Sequence, residues 1–588
     1  MGRRRAPPPV QHRPPHCPQS QSRRRRGALP AGPLPRAALV RERPRAGRHA
    51  VSLLRDAYAA AHKATWDQAW QSAGFHALAE IDCLRRDWGA ALGHLERSLR
   101  LNADNLRARN LQALVLRKLE RDAEADAVLR ATLQLDPLDA WSRHLLGERV
   151  PGDTQVRLDL ALDYARAGFF GQALDVLADA APSAAEGTAP LLGYYRAWLS
   201  QRLDRRAAPA HLAAARAAAP DYCFPARVEE IAILESALAA APDDARAAFY
   251  LGNLFYDRRR HREAIALWER AVRREPGNAV AWRNLGLAAF NILRRPALAR
   301  RAYAAACRAA PDDARLLFER DQLWKRLGES PVRRLRELEA NLALVQRRDD
   351  LSVELCALYN QTGRSDAALA LLRTRRFQPW EGGEGLVLGQ HARTHLRLGR
   401  AALARGDAPA AIAHFDAALD VPGNLGEARH LLANPSDIHL WLGDALAAAG
   451  LRTDARRHWR RAATFRGDFQ AMSVRAFSEM TYFSALAWQR LGHPAKSKRM
   501  FRELLAHARR LARAPAEIDY FATSLPTMLL FEDDLAARQR THALFLEAQA
   551  RLGLGQEAPA RRLLRRVLQR DPHHARARDL VESNPSLE

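Results

Sequence analysis

Cysteine is scarce in this chain of 588 residues, and its five copies stand far apart at positions 17, 83, 223, 307 and 356. They form no CxxC pair, and no histidine accompanies them at a zinc-ligand spacing. These absences argue against a disulfide framework and against a structural zinc site. We therefore expect a cytoplasmic protein in a reducing compartment, without a metal or another cofactor.

Long apolar runs and catalytic signatures are also missing. No uninterrupted apolar stretch approaches the roughly 18–20 residues of a membrane-spanning helix. Prolines follow Arg3–Arg5, where a secretion signal would be apolar. The sequence contains no Gly-rich phosphate loop, GxSxG elbow or Cys/His nucleophile pattern. We predict neither membrane insertion nor enzymatic activity.

Aromatic residues make up only 7% of the chain, whereas 48% is hydrophobic, and most of the hydrophobic residues are Ala and Leu. Both are strong helix formers with little preference for strands. Lysine occurs only five times, so arginine supplies nearly all of the positive charge. An excess of Arg and Ala is typical of a GC-rich bacterial genome, and we interpret part of the charge as compositional drift.

The net charge of +26 is concentrated at the N-terminus. Residues 1–50 contain 13 Arg, one Glu and ten of the 32 prolines, with almost no helical periodicity. Because they cannot bury a core, we predict a disordered Arg/Pro-rich arm. The arm could bind nucleic acid or lipid, or it could be a solvated tail or non-native sequence from a misassigned start. The lack of interleaved aromatics favours the last two interpretations.

From about residue 51 the sequence repeats. Pro242, Pro276 and Pro311 end successive units 34 and 35 residues apart, which is the tetratricopeptide period. Small residues recur at the eighth and twentieth positions of a unit, as Gly252 and Ala264 do. Small side chains there let the two helices of a unit touch, while bulky neighbours fill the gaps.

The repeat predicts an all-α, tetratricopeptide-type solenoid. We expect a right-handed superhelix of roughly ten to twelve helix pairs, in which helix A of each pair lines the inner, concave face. Residues 51–348 form the N-terminal part of the array, residues 349–580 the C-terminal part and residues 581–588 a tail. The units at 188–222 and 314–348 fit the pattern least well.

Three stretches interrupt the repeat: residues 377–386, residues 421–427 with 434–439, and residues 518–534. In this order, inside such an array, they resemble a family of uncharacterised bacterial proteins. In that family a C-terminal tetratricopeptide array follows an N-terminal β-sandwich domain similar to aldose mutarotases. The resemblance covers residues 51–580 and implies a link to saccharides through the sandwich.

The sandwich itself has no counterpart in this sequence, because no run of alternating strands is present. Either the domain was lost, or the chain is a fragment whose start was misassigned. The carbohydrate binding that the resemblance implies therefore cannot be assigned to any residue here.

The first interrupting stretch contains the candidate binding residues Trp380, Glu381 and Glu384. Paired carboxylates beside an aromatic ring could serve glycoside hydrolysis or saccharide stacking. The three glycines of the stretch favour an inter-repeat loop, whose carboxylates are solvated or cap the following helix. We keep the three residues as candidates for contact with a partner.

Two further groups have simple structural interpretations. His391 and His395 share a helix face at a chelating spacing, but they lack the Glu of an HExxH motif and a third ligand, so a pair without metal is favoured. Asp519 and the acidic residues 532–534 flank an apolar segment. A buried helix with charged caps is favoured there over an acidic site.

Asn253, Asn284 and Arg315 occupy inward positions of helix A. They resemble part of the carboxylate clamp of chaperone-binding tetratricopeptide domains. Phe249 and Glu319 stand where that clamp has Lys and Arg, so a peptide carboxylate would lose two charge-assisted bonds. Coincidence is favoured, and the three residues remain candidates.

The sequence therefore predicts a non-catalytic scaffold or adaptor that binds a protein or peptide partner along the concave face. One alternative is an accessory module of a carbohydrate-active β-sandwich protein whose sandwich is missing from this chain. A weaker alternative is nucleic-acid binding through the excess of Arg.

Overall fold

The computed structural model describes residues 47–204, 206–470, 473–517 and 530–584. These ranges are helical almost throughout, and consecutive helices pack against each other in pairs. The chain divides into two compact units, residues 1–254 and residues 255–588. The predicted disordered arm, apart from a helix that begins at Gly47, and Asp519 lie outside the described residues. The all-α, tetratricopeptide-type fold class is confirmed.

The first unit contains α1 to α11 and most of α12. In chain order these helices are Gly47–Ala64, Gln71–Arg85, Trp88–Leu101, Leu106–Lys118, Asp122–Leu135, Ala140–Leu145, Thr154–Arg166, Phe170–Ala178, Ala189–Arg202, Ala208–Ala217, Glu229–Ala240 and Ala245–Asp257. A 3₁₀ turn, Ala184–Glu186, precedes α9.

The second unit contains α13 to α29. In chain order these are His261–Arg274, Ala279–Asn291, Pro296–Ala309, Ala314–Arg326, Pro331–Glu339, Leu342–Val345, Asp349–Gln361, Ser365–Thr374, Leu386–Ala404, Ala408–Leu419, Ser436–Ala448, Arg452–Thr464, Met480–Arg490, Pro494–Leu511, Leu535–Gly553, Glu557–Arg570 and Ala575–Glu582. A 3₁₀ turn, Gly423–Leu425, follows α22. Strands β1 (Asp468–Gln470) and β2 (Ser473–Arg475) form an antiparallel hairpin after α24.

Several helices start at a residue whose side chain accepts a hydrogen bond from the first turn. Asn278 accepts a hydrogen bond from Ala281 N at 2.9 Å at the start of α14, and Asp407 does the same for Ala410 N at 3.0 Å at the start of α22. Such caps satisfy backbone N–H groups that have no partner within the helix. Gly406, with φ of +81°, makes the tight turn between α21 and α22.

Small residues at the eighth position allow close packing within a helix pair, as predicted. A Cβ atom at Gly286 would lie 2.6 Å from the Tyr303 ring, and one at Gly399 would lie 2.5 Å from the Phe415 ring. Gly443 and Trp459 repeat the arrangement in the next pair, also at 2.5 Å. The predicted register of these units is confirmed.

The apolar core is a series of local clusters between neighbouring helices. One cluster joins Leu338, Val345, Leu351 and Leu355 and continues across the position between residues 348 and 349. The predicted division of the array at that position stays a prediction. Within the described residues the strands are limited to the hairpin, so the mutarotase-like sandwich of the resembling family has no counterpart there.

Unit 2 also contains contacts between residues far apart in the sequence. Arg393 and Arg397 on α21 bind the carboxylate of Asp579 on α29, at 2.8 Å and 2.6 Å. Gln361 Nε2, at the end of α19, donates to the Pro572 carbonyl at 2.8 Å. The last helix therefore lies against the helix A side of earlier repeats.

Candidate functional site

Two of the stretches that interrupt the repeat lie side by side. We name residues 377–385 the Trp380 loop and residues 421–427 the Asn424 loop. Phe377 N donates to the Asn424 carbonyl at 2.8 Å, and the Asn424 side chain donates to the Leu372 carbonyl at 2.8 Å. The first bond joins the two loops and the second joins the Asn424 loop to α20, although the sequence presents the loops as separate interruptions.

Glu427, from the Asn424 loop, caps the helix that follows the Trp380 loop. Its carboxylate accepts hydrogen bonds from Gly385 N at 2.8 Å and from Leu388 N at 3.4 Å. Gly385 has φ of +74°, a left-handed conformation that glycine adopts without strain. A carboxylate is favoured at this end of α21 by the exposed N–H groups and the helix dipole. Glu384 instead accepts from Gly382 N at 3.1 Å, and Glu381 is exposed.

Trp380 is half-buried and rests on the backbone of its own loop. A Cβ atom at Gly383 would lie 2.0 Å from Trp380 Cε2, so only glycine fits beneath the indole. The ring also packs against an apolar cluster that includes Phe377, Val387 and Leu425. The indole is therefore held in place before any partner arrives.

Around this ring the two loops enclose an open cleft of about 280 Å³. Its lining residues are Gln378, Pro379, Trp380, Glu381, Gly383, Glu384, Val387, Leu425 and Glu427. The three candidates Trp380, Glu381 and Glu384 thus share one cleft, to which Glu427 adds a third carboxylate. In the part of the chain that the structure describes, Glu384 and Glu427 accept hydrogen bonds from backbone N–H groups, Glu381 is exposed, and these three carboxylates form no ion pair.

The candidate Arg315 lies on the helix A side of α16, where it binds Glu319. The buried Glu319 carboxylate accepts hydrogen bonds from Arg315 Nε at 2.9 Å, from Arg283 Nε at 2.7 Å and from Tyr303 Oη at 3.0 Å. Burial alone would raise the pKa of Glu319, but the Arg283 and Arg315 guanidinium groups outweigh it and hold the pKa below its usual value. The negative charge of the ionised Glu319 carboxylate would repel an incoming peptide carboxylate.

The two asparagine candidates, Asn284 and Asn253, lie on different helices. Asn284 is half-buried on α14, where its Oδ1 atom lies 3.4 Å from Nη1 of Arg283. Asn253 is half-buried on α12 and belongs to the first unit. Phe249, where the clamp has Lys, is a buried core residue.

In unit 2 the helix A side of α21 is covered by α29. The Asp579 carboxylate accepts two hydrogen bonds from Arg393, at 2.8 and 2.9 Å, and one from Arg397 at 2.6 Å. Burial alone would raise the pKa of Asp579, but the charges and hydrogen bonds of the arginines hold it below its usual value. A partner could bind these two arginines through their present hydrogen-bonding groups only by displacing Asp579.

In unit 1 the helix A side of α2, α4 and α7 carries charged side chains, and that of Arg107 is largely exposed. His76 Nε2 and Glu80 Oε1 on α2 lie 3.4 Å apart. Arg107 on α4 reaches Asp163 on α7, with 3.4 Å between Nε and Oδ2, while 61% of the Arg107 side chain stays exposed. Burial raises the pKa of Asp163 to about 6, although Arg107 and Arg166 oppose the shift.

The histidine pair is buried and bound internally. His391 Nε2 lies 2.9 Å from the Ala417 carbonyl, to which it donates, and His395 Nδ1 lies 3.2 Å from His414 Nδ1. Burial, and then His391 and His414, lower the pKa of His395 to about 3. Among the described residues no group of three or more His, Cys, Asp or Glu side chains could hold a metal ion.

The described end of the third interrupting stretch packs on unit 2. Phe531 is buried against Phe290 and Tyr303, with ring centroids 5.1 and 5.8 Å away. Asp534 caps α27 by accepting from Ala537 N at 2.8 Å. This part of the acidic run has the capping role that the sequence favoured.

Sequence reasoning missed the residues whose contacts cross between repeats. Glu427 stands in a stretch already singled out, but its partner Gly385 lies 42 positions away. Arg283 and Asp579 carry no motif, and an inward position in helix A is the only signal that could have identified Arg283.

Two protein-family models match parts of the chain and agree with the fold. A tetratricopeptide repeat family matches residues 231–265, 251–314 and 396–471, and a second one matches residues 542–574. The crystal structure of YrrB, a tetratricopeptide protein with an unusual peptide-binding site, is 18% identical, covers 32% of this chain and 91% of its own, and has a TM-score of 0.25. Naa15/Naa10 bound to HypK-THB is 13% identical over 94% of this chain and 96% of that chain, with a TM-score of 0.23. A tetratricopeptide repeat protein from Parabacteroides merdae is 14% identical over 51% of this chain and 98% of that chain, with a TM-score of 0.22.

The chain thus contains tetratricopeptide repeats, which are typical of protein–protein interaction scaffolds rather than of enzymes. Within the described ranges, every helix is too short or too polar to cross a bilayer.

Proposed function

We propose that this array of tetratricopeptide repeats is a non-catalytic scaffold that binds a protein or peptide partner along the helix A side of its repeats. The observation that carries the proposal is the charged surface of unit 1, where Arg107 and Asp163 join two repeats. Arg107 remains largely exposed, whereas the Asp163 carboxylate is mostly buried and also binds Arg166. A row of polar groups on a rigid helical surface suits recognition of an extended or helical peptide.

The position of α29 supports assigning the partner to unit 1. In unit 2 the arginines of α21 are already bound to Asp579, and Arg315 is bound to Glu319. A partner there would have to break these short charge-assisted bonds before it made its own, whereas Arg107 and Asp163 are joined by a longer contact of 3.4 Å. We therefore propose that Arg107 and Asp163 contact the partner, and that Arg315, Asn284 and Asn253 are secondary candidates.

Selection of peptides from a random phage-displayed library against the full chain tests the proposal. Selected peptides, synthesised and labelled, should bind the wild-type chain with a Kd on the order of micromolar. Arg107→Glu should weaken their binding by about tenfold or more, because it removes a donor and places a carboxylate beside Asp163.

Arg130→Glu is the matched control, because Arg130 is exposed on α5 and makes no ion pair in the described part of the chain. It changes the net charge equally and should leave binding unchanged. Failure to enrich any peptide over an unrelated helical protein would refute the scaffold function. Equal losses in both variants would refute the assignment to the helix A side of unit 1.

The proposal includes a reducing, cytoplasmic environment. Cys83, Cys223, Cys307 and Cys356 are all unpaired, and burial raises the pKa of each thiol. The saccharide link implied by the family resemblance and nucleic-acid binding through Arg stay predictions.

A further inference from the structure

We propose that the cleft between the Trp380 loop and the Asn424 loop, here named the Trp380 cleft, binds a positively charged Arg or Lys side chain of the partner. This inference rests on the proposed function, because it takes the partner to be a protein or peptide. It adds a second contact site in unit 2 and specifies what that site recognises.

The charges of the cleft point to a cation. The chain carries a net charge of +26, and many of its carboxylates are bound by arginine, as Glu319 and Asp579 are. Glu381, Glu384 and Glu427 are different: they converge on one cleft without a cationic partner in the described part of the chain. Glu427 is committed to capping α21, and Glu384 uses one oxygen for Gly382 N. Glu381 and the second oxygen of Glu384 are the available acceptors.

The aromatic wall fits the same ligand. A guanidinium or ammonium group over an indole face is attracted by the ring quadrupole, and Trp is the strongest of the aromatic side chains in this role. Val387 and Leu425 form apolar lining that can contact the methylene stem of Arg or Lys. A volume of about 280 Å³ suits one long side chain rather than a folded partner surface.

The site is also held rigid in advance. Gly383 supports one side of the indole, Glu427 ties the end of the loop to α21, and Asn424 joins the two loops. A ligand therefore loses little free energy in ordering the ring and the backbone of the two loops.

The test uses fluorescence anisotropy with the full chain and three labelled octapeptides, acetylated and amidated at their ends. The peptides alternate Pro with Arg, Gln or Glu. The Arg peptide should bind at least about tenfold more tightly than the Gln peptide, and the Glu peptide should not bind at the cleft. Because the chain as a whole is strongly positive, non-specific attraction opposes this order and cannot produce it.

The variant Glu381→Gln should reduce affinity for the Arg peptide by about fivefold to tenfold, since it removes the charge and keeps the shape. Within the described residues this carboxylate makes no hydrogen bond or ion pair, so the variant is expected to fold normally. Glu557→Gln is the control, because Glu557 is exposed at the start of α28, outside the cleft. Trp380→Phe should bind more weakly than the parent, and Trp380→Leu more weakly still.

Two results would overturn the inference. One is equal binding of the Arg and Gln peptides. The other is tighter binding of the Arg peptide that Glu381→Gln and Trp380→Leu leave unchanged, which would place the contact elsewhere. Either result can coexist with library peptides that depend on Arg107, so failure here is distinct from failure of the proposed function.

Discussion

Arg397 on α21 and Asp579 on α29 lie 182 positions apart in the sequence, yet their side chains meet at 2.6 Å. Arg393 donates two further hydrogen bonds to the same carboxylate. A single aspartate thus binds two arginines that are largely buried, Glu582 adds a second carboxylate at Arg397, and these bonds hold the last helix against a repeat in the middle of unit 2.

Replacing Asp579 with Ala should destabilise the chain by roughly 3 kcal/mol, because it removes the carboxylate that binds the mostly buried Arg393 and leaves Arg397 with Glu582 alone. The midpoint of urea unfolding, followed by circular dichroism, measures the effect. Asp454→Ala is the control, since Asp454 pairs with Arg457 on an exposed helix surface at 3.0 Å and should cost less than about 1 kcal/mol. Similar small shifts in both variants would show that the Asp579 contact does not hold unit 2 together.

Acid should destabilise the fold through two buried histidines. Burial and neighbouring histidines lower the pKa of His395 to about 3 and that of His439 to about 4. An unfolded histidine titrates near pH 6.5, as expected for the free side chain, so the unfolded chain binds more protons below that pH. The stability from the neutral rings is present above about pH 6.5 and is lost as the pH falls toward these folded values.

The double variant His395→Asn/His439→Asn should therefore flatten the decline of the urea midpoint between about pH 7.5 and about pH 4.5. His430→Asn is the control, because His430 is exposed. An unchanged pH profile in the double variant would mean that the acid sensitivity has another origin.

Close packing at Gly286 can be tested with a pair of glycine variants. Gly286→Ala should cost on the order of 1–3 kcal/mol, because the added Cβ would lie 2.6 Å from the Tyr303 ring. Gly389→Ala, on the open side of α21 where nothing lies within 4 Å, should instead stabilise the helix by up to about 1 kcal/mol. Opposite shifts in the thermal midpoint are expected. Shifts of the same sign would contradict the packing at position eight.

Trp380 should contribute to stability as well as to binding. Its ring packs against the cluster around Phe377, so Trp380→Ala should cost roughly 2 kcal/mol, about half the value for a fully buried aromatic residue. Trp66→Ala is the control, because the Trp66 side chain is 72% exposed. Its unfolding midpoint should barely move. Equal midpoints for the two variants would show that the indole is not part of the core.

The fold could be predicted because the packing of a tetratricopeptide unit is local. Gly286 and Tyr303, or Gly399 and Phe415, belong to one helix pair, so their spacing in the sequence already encodes their contact. The loop around Trp380 could also be predicted from local sequence, because its glycines and proline interrupt an otherwise regular period.

The candidate site could be predicted only in part, because it is completed by a residue that follows the next helix pair in the sequence. Glu427 reaches Gly385 through the folding of a whole helix pair between them, and no periodicity records that approach. Glu319 shows the same limit: its identity argued against a clamp, but only the structure reveals that Arg283 binds it alongside Arg315.

The contact between α21 and α29 affects how cooperatively unit 2 should unfold. An open solenoid behaves as a one-dimensional chain of nearest-neighbour couplings, in which repeats can fray one after another from either end. The Arg397–Asp579 ion pair adds a contact between helices that are far apart in the sequence. Because α29 also packs against α27 and α28, the repeats from α21 to α29 are linked at both ends. Unit 2 is therefore expected to unfold in larger cooperative blocks than its repeat sequence suggests, and to fold more slowly because a long loop has to close.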